Sequence, residues 1–306
     1  MSAVPELIDG GVRLAVPLLL ASSGELVSER AGVLNLSVEG MMLTGAFAGA
    51  VGTAQTGDPL VGVVCALVAA VLVAALQALL SVTLLADQIV TGIAVNALAL
   101  GLTTYGARLF FTTGRDVTGF DEIALPGLSR IPVVGPALFE QSGLAFVGLA
   151  LAGCLALLFS RRTGIGLALT AIGEDAVSAD RAGLPVRTAR FGAVLLTGFM
   201  SGLAGAQLAL ADIHAFTDNI TAGTGYLAVV AVIAGQWRPW PTALACGFFG
   251  IAQALQFAAP TLGVEVPSSL LIMLPYLLAL AAVSGFARAS RSPSGLTVPF
   301  VREARA

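Results

Sequence analysis

The sequence contains no lysine: all 15 of its basic residues are arginine. Without lysine the chain has no Gly-x-x-x-x-Gly-Lys loop with which to cradle a nucleotide phosphate. Its 18 acids leave a net charge of -3, so there is no basic excess to hold nucleic acid. A single histidine, His214, excludes a metal site built on two imidazoles. The three cysteines, Cys65, Cys154 and Cys246, lie far apart in apolar runs, a spacing that suits neither a zinc site nor a disulfide framework. Charge of either sign is scarce, at 11% of residues, against about 25% in domains that must coat themselves for water.

What the sequence has in abundance is apolar side chains, 57% of the chain, with a mean hydropathy of +0.93. Such a chain presents most of its surface to lipid. The opening MSAVPELIDGGVRLAVPLLL lacks a basic leader, so its apolar run is read as a retained span and not a cleaved signal. A helix needs about 20 mainly apolar residues to cross the hydrocarbon core, and that ruler predicts an all-α, polytopic membrane protein of about nine transmembrane helices. The predicted spans are Leu7 to Val27, Val33 to Thr53, Pro59 to Leu85, Ile89 to Phe111, Ser142 to Ser160, Ala189 to Ala211, Gly225 to Trp237, Pro241 to Ala259 and Ser268 to Phe286. They form one transmembrane domain over 1–286, followed by a cytoplasmic tail at 287–306.

Arginine placement orients the stack, because positive residues stay on the cytoplasmic side. Arg161, Arg162, Arg181, Arg187 and Arg190 share one connection, and Arg288, Arg291, Arg302 and Arg305 follow the last span. Both segments are placed inside. The loop from Thr112 to Gln141, with four acids, two arginines and several prolines, then falls outside, as does the N-terminus.

The two halves resemble each other weakly. Asn35-Leu36-Ser37 pairs with Asn219-Ile220-Thr221, Asp58-Pro59 with Pro239-Trp240-Pro241, and Asp87 to Gln88 with Pro267 to Ser269, at offsets of 184, 182 and 180 residues. Spans one to four (about 7–111) then match spans six to nine (about 189–286), with 142–160 as the link and 161–188 as a cytoplasmic loop. An odd number of spans separates equivalents, so the repeats are inverted. Inverted repeats are a transporter architecture with the substrate path at their interface.

Polar groups inside spans cost free energy and are functional candidates. The richest stretch is SSGELVSERAGVLNLSVEGMMLT, residues 22–44. A plain cytoplasmic turn accounts for Glu29 and Arg30 but not for Glu39, which falls inside the second span. Gly32 and Gly40 bracket the Asn-Leu-Ser segment, and a broken helix there would expose backbone to a cavity. Asn35, Ser37 and Glu39 are therefore candidates either to line a substrate path or to brace helices. In the mirrored stretch, where a solvated outer loop is the other reading, Asn219 and Thr221 are candidates because they match Asn35 and Ser37, and within spans Thr91, Asn96, Gln253 and Gln256 can hydrogen-bond a polar substrate or another helix. Gly45-x-x-x-Gly49 and the series Gly198, Gly202, Gly205 read as helix packing. Between spans, Asp175 is placed to cap a short helix over Ala176 to Ala182, which Gly183 ends and Pro185 cannot continue. Such a helix suits docking into a partner, and an ordinary surface loop is the other reading.

Several stretches, in order along the chain, resemble one family. They are Glu29-Arg30-Ala31-Gly32-Val33-Leu34-Asn35-Leu36-Ser37-Val38-Glu39-Gly40-Met41-Met42-Leu43, then Val90-Thr91-Gly92-Ile93-Ala94 with Asn96, then Ala171-Ile172-Gly173-Glu174 and Ala182-Gly183. Ser201-Gly202-Leu203-Ala204-Gly205-Ala206, Thr221-Ala222-Gly223 and Met273-Leu274-Pro275-Tyr276 complete the set. Together they are similar to the permeases of nucleoside-type ABC importers, a branch of the wider group of ribose and branched-chain amino acid permeases. The resemblance implies a transport subunit and not an enzyme, with a nucleoside as cargo and ribose or another simple sugar as the alternative. It implies ATP and Mg held by separate ATP-binding subunits, with no cofactor bound by this chain. It also implies a second homologous permease and an extracytoplasmic substrate-binding lipoprotein, in the inner membrane of a bacterium. Gly173, Glu174, Asp175, Arg181, Ala182 and Gly183 then look like the coupling helix that seats in an ATPase groove. The family usually has Asn-Pro where this chain has Asp175-Ala176, and basic residues where it has Leu167-Ala168-Leu169-Thr170.

Other classes fit less well. An ion-coupled secondary transporter would also use inverted repeats, yet Glu39 is its one mid-span titratable candidate. An intramembrane serine protease would need a Ser/His pair, and His214 falls in a predicted outer loop. A channel would show a charged ring, and none is visible.

Overall fold

In hydrocarbon, each backbone N–H and C=O must be paired within its own segment, so apolar runs fold as helices. The computed structural model describes residues 3–111, 117–124, 126, 129, 134–160, 163–259, 267–286 and 292–301. The predicted cytoplasmic residues Arg161, Arg162, Arg288, Arg291, Arg302 and Arg305 lie outside the described residues. The helices are α1 (Ala3–Arg30), α2 (Val38–Thr56), α3 (Pro59–Ala78), α4 (Gln88–Phe110), α5 (Val134–Phe139), α6 (Gly143–Leu158), α7 (Gly164–Glu174), α8 (Ala176–Arg181), α9 (Val186–Gln207), α10 (Thr224–Ala234), α11 (Pro239–Ala258) and α12 (Ser268–Phe286). Single π-helical turns, Leu79–Thr83 and Leu208–Asp212, extend α3 and α9. A short antiparallel pair, β1 (Glu122–Ala124) and β2 (Glu140–Ser142), lies at the predicted outer loop.

Local chemistry explains the boundaries. Asp58 accepts the Leu60 N–H ahead of Pro59, and Asp87 accepts those of Ile89 and Val90, so each caps the helix it precedes. α1 stops at Arg30 because Gly32 takes a left-handed conformation (φ +87°) and Val33 N–H reaches back to Ser28 C=O. Residues 31–37 are therefore not helical, and the second predicted span begins at Val38 and not at Val33. Among the described residues, five helices are long and apolar enough to cross a membrane by themselves: Leu7–Arg30, Pro59–Thr83, Gln88–Phe110, Val186–Asp212 and Pro239–Ala258. α10 has 11 residues, about 16 Å of helix, half the roughly 30 Å core. A non-helical segment, 213–223, precedes it.

α9 is the central post. Within an 18-residue apolar stretch of each, 83% of the residues of Val186–Asp212 are buried, against 22% for Pro59–Thr83, which turns Leu60, Val64, Val68 and Leu72 outward on one face. The glycine series permits close approach: a Cβ on Gly205 would lie 2.1 Å from Met42 O, and one on Gly198 would lie 2.3 Å from Ala74 Cβ. On the other side, a Cβ on Gly250 of α11 would lie 2.4 Å from Gly11 O of α1. The packing is reciprocal: α1 lies along α11, α9 lies along α3, and α1 and α9 lie against each other.

Replacing Gly205 by alanine should therefore abolish the folded protein, although alanine is the better helix former by about 1 kcal/mol. Gly153→Ala, where a Cβ meets nothing within 4 Å, should be neutral or slightly stabilising. Comparing the monodisperse yield of the two variants in detergent checks this, and equal yields would contradict the packing.

Candidate functional site

The two non-helical segments, 31–37 and 213–223, flank a buried polar junction. Glu39, in the first turn of α2, is only 7% exposed. Its Oε1 accepts the Thr221 hydroxyl (2.6 Å) and the Gly223 N–H (2.8 Å), and its Oε2 accepts the Gly225 N–H (2.6 Å). A helix N-terminus has unpaired N–H groups and the positive end of the helix dipole, so the carboxylate caps α10. No side chain fits at Gly225, where a Cβ would lie 2.5 Å from Glu39 N, and Gly223 has φ +85°. Protein hydrogen bonds thus meet both oxygens of Glu39.

Asn96 of α4 completes the junction. Its Oδ1 accepts Gly40 N–H (2.7 Å), while its Nδ2 donates to Leu36 C=O (2.7 Å) and to Tyr226 Oη (2.8 Å). Asn35 Oδ1 accepts the Ser37 N–H (3.1 Å) and hydroxyl (2.6 Å), a local turn that launches α2. Asn35 N–H donates to Glu25 Oε1 at 2.9 Å. The structure thus brings together Asn35, Ser37, Glu39, Asn96 and Thr221. Thr91 accepts from Gln77 Nε2 and donates to Asp87 C=O, one step removed. Asn219 is exposed at a left-handed turn position (φ +56°), and Gln253 and Gln256 are half-buried on α11 with no hydrogen bond to the junction.

Glu29 is not on a cytoplasmic turn. It lies in the last turn of α1, fully buried, and its Oε2 accepts the Trp237 indole N–H. Arg30 is also buried and donates to Phe159 C=O (2.8 Å). Sequence reasoning also missed Tyr226, Gln88, which accepts Leu34 N–H, and Tyr276, which donates to Ala222 C=O. These partners lie 54 to 130 positions away, so no local pattern announces them.

At the other candidate site, Asp175 caps α8 as predicted, accepting the N–H groups of Val177 and Ser178 (3.0 Å each) and the Ser178 hydroxyl. The Ser178 hydroxyl, then its N–H, holds the Asp175 carboxyl below the usual carboxylate range. Gly183 (φ +89°) ends the turn. Arg181, Ala182 and Gly183 are exposed, while Ala179 packs against Ile172, Val186 and Phe300. Gly173 is buried, where a Cβ would lie 2.0 Å from Arg30 O. Glu174 accepts the Ser294 hydroxyl at 3.0 Å. α7 was not expected: its 11 mainly apolar residues are too few for a span, and counting by that ruler passes over them.

Asn96→Ala would leave Gly40 N–H and Leu36 C=O unpaired, at about 1–3 kcal/mol each. A thermal melt of the purified protein should fall by several degrees, with Asn219→Ala unchanged. An Asn96→Ala melt matching the parent would contradict this geometry.

The comparisons with known proteins agree with one another. A candidate glucose ABC transporter permease protein of Haloferax volcanii is 38% identical over 87% of this chain and 81% of its own. The guanosine ABC transporter permease protein NupQ of Bacillus subtilis is 31% identical over 95% of both chains. The nucleoside ABC transporter permease protein NupC of Lactococcus lactis subsp. cremoris is 31% identical over 94% of both. Among solved structures, a candidate metal-chelate-type ABC transporter in an inward-facing conformation superposes with a TM-score of 0.53 at 16% identity, over 92% of this chain and 85% of that one. PsaBC of Streptococcus pneumoniae, in complex with Fab, gives 0.51 at 13% identity, over 91% and 90%. These two show likeness of fold alone. Residues 7–283 match the family described as the branched-chain amino acid transport system permease component, and the chain belongs to that family of multi-pass ABC transporter permeases, transport subunits that work with separate ATP-binding subunits.

Proposed function

We propose that this permease provides the membrane path for a nucleoside in an ABC importer. The observation that carries the reading is the end-to-end match to two permeases named for guanosine and for nucleosides, over 94–95% of each chain. The second reading is a simple sugar such as glucose or ribose, favoured by the 38% identity to the Haloferax volcanii protein. ABC family membership sets aside the ion-coupled alternative.

The geometry gives the proposed path a mechanism. Both Glu39 oxygens are occupied by protein donors, so the junction acts as the joint between two halves that rock. The reciprocal packing of α1 on α11 and α9 on α3 supports the inverted repeat, with the path between the halves. Asn35, Ser37, Glu39, Thr91, Asn96 and Thr221 would reshape as it opens, and Asn219, Gln253 and Gln256 would offer further polar contacts. A loaded binding lipoprotein docks outside. Beside this chain sits a second permease subunit. The exposed face of α8, with Arg181, Ala182 and Gly183, seats in an ATPase subunit, with Glu174 and the Asp175 cap setting its approach and Gly173 packing it against α1. ATP and Mg stay in those subunits, and the cargo crosses unmodified.

Uptake of radiolabelled guanosine, uridine, glucose and ribose should be measured in cells lacking this subunit, with and without the intact gene. Loss of guanosine and uridine uptake alone, restored by the gene, is the expected result. Loss of glucose or ribose uptake alone would replace the nucleoside reading by the sugar one.

A further inference from the structure

Segment 292–301, predicted only as a tail, folds back over the inner end of the helices. Gly295 N–H donates to Gly173 C=O (2.8 Å), and the Ser294 hydroxyl and N–H donate to Glu174 Oε2 (3.0 and 3.3 Å). A Cβ on Gly295 would lie 2.8 Å from Gly173 O, so the two backbones touch. Phe300 is 6% exposed and closes the apolar cluster of Ile172, Ala179 and Val186, which joins α7, α8 and α9. Leu296 packs against Leu26, Val232 and Trp237, at the end of α1 and the turn after α10. Arg190 of α9, 3% exposed, donates to Val298 C=O (2.8 Å) and Gly295 C=O (3.5 Å) of this segment and to Ala31 C=O (3.0 Å). A buried guanidinium needs acceptors, and two of these three belong to the segment.

α8 has six residues and buries only Ala179 fully, so it cannot hold its own orientation under load. We propose that segment 292–301 is a strap that positions the coupling helix and carries its displacement to α9 through Arg190 and to the α10–α11 turn through Leu296. A push on α8 then moves the helices that frame the Glu39 junction instead of swinging α8 alone. This rests on the assignment of α8 as the ATPase contact, and the strap adds where the push goes. Phe300, Gly295 and Leu296 are positioning residues, since they touch neither cargo nor nucleotide.

The test uses the whole transporter, with its ATP-binding and binding-protein subunits, reconstituted in liposomes. Uptake per ATP hydrolysed is measured with labelled guanosine, uridine, glucose and ribose. Phe300→Asp places a charge in the apolar cluster; Phe300→Leu keeps the cluster filled, and Val301→Asp puts the same charge at an exposed position. The strap predicts that Phe300→Asp assembles and hydrolyses ATP at about the parent rate while uptake per ATP falls about five-fold or more, with Phe300→Leu and Val301→Asp like the parent. Should Phe300→Asp fail to assemble, Phe300→Ala is read in its place against the same expectation. An unchanged ratio in Phe300→Asp, or an equal loss in Val301→Asp, would overturn the proposal. Arg181→Glu separates the two ideas: uncoupling there with a normal Phe300→Asp ratio removes the strap and keeps α8 as the contact. A parent ratio in both variants removes both.

Discussion

The Glu39 carboxylate at the start of α10 is the contact on which the two halves depend. A carboxylate buried in an apolar protein is costly unless its oxygens are met, and three donors from residues 221–225 meet these two. Hydrogen bonds to a charged group are worth about 1.5–3 kcal/mol each, roughly twice the ordinary bond. They connect α2 of the first half to α10 of the second, across more than 180 positions of chain. The broken segments before both helices follow from this requirement. Only an unwound 213–223 leaves the N–H groups of Gly223 and Gly225 free to face the carboxylate, and only glycine fits at 225.

A junction made of hydrogen bonds can be remade in a second arrangement, whereas the glycine seams of α9 cannot yield without clashes. The rigid and adaptable parts are thus segregated. α1 with α11 and α9 with α3 form close-packed pairs, whereas the polar contacts join α2 and α4 to the start of α10. That division suits the proposed rocking of two halves, each kept intact.

Much of this was legible in the sequence, and the reasons are local. Apolar runs gave the helices, and Asp175 marked the start of α8 because a cap acts within three residues. Glu39 and Asn35 stood out because polar groups within apolar runs are costly. What escaped notice depends on distant partners or on length. Glu29 reads as a turn residue until Trp237 is beside it, and Asn96 reads as one polar group among several until Tyr226 and Gly40 take up its amide. α7 is apolar yet too short to count as a span, and segment 292–301 carries no pattern that marks it as packed. The unwinding at 31–37 was only half visible: Gly32 and Gly40 suggested it, but the limits come from the Gly32 left-handed stop and the Asn35–Ser37 turn.

The most direct measurement of the central claim, that Glu39 joins the halves through α10, is a double-mutant cycle between Glu39→Gln and Thr221→Val, read as thermal stability of the purified permease and as uptake in the assembled transporter. The account predicts that each single change weakens both readouts and that the double variant is little worse than Glu39→Gln alone, an interaction of about 1–3 kcal/mol. Strictly additive losses, or a Glu39→Gln protein indistinguishable from the parent, would contradict it.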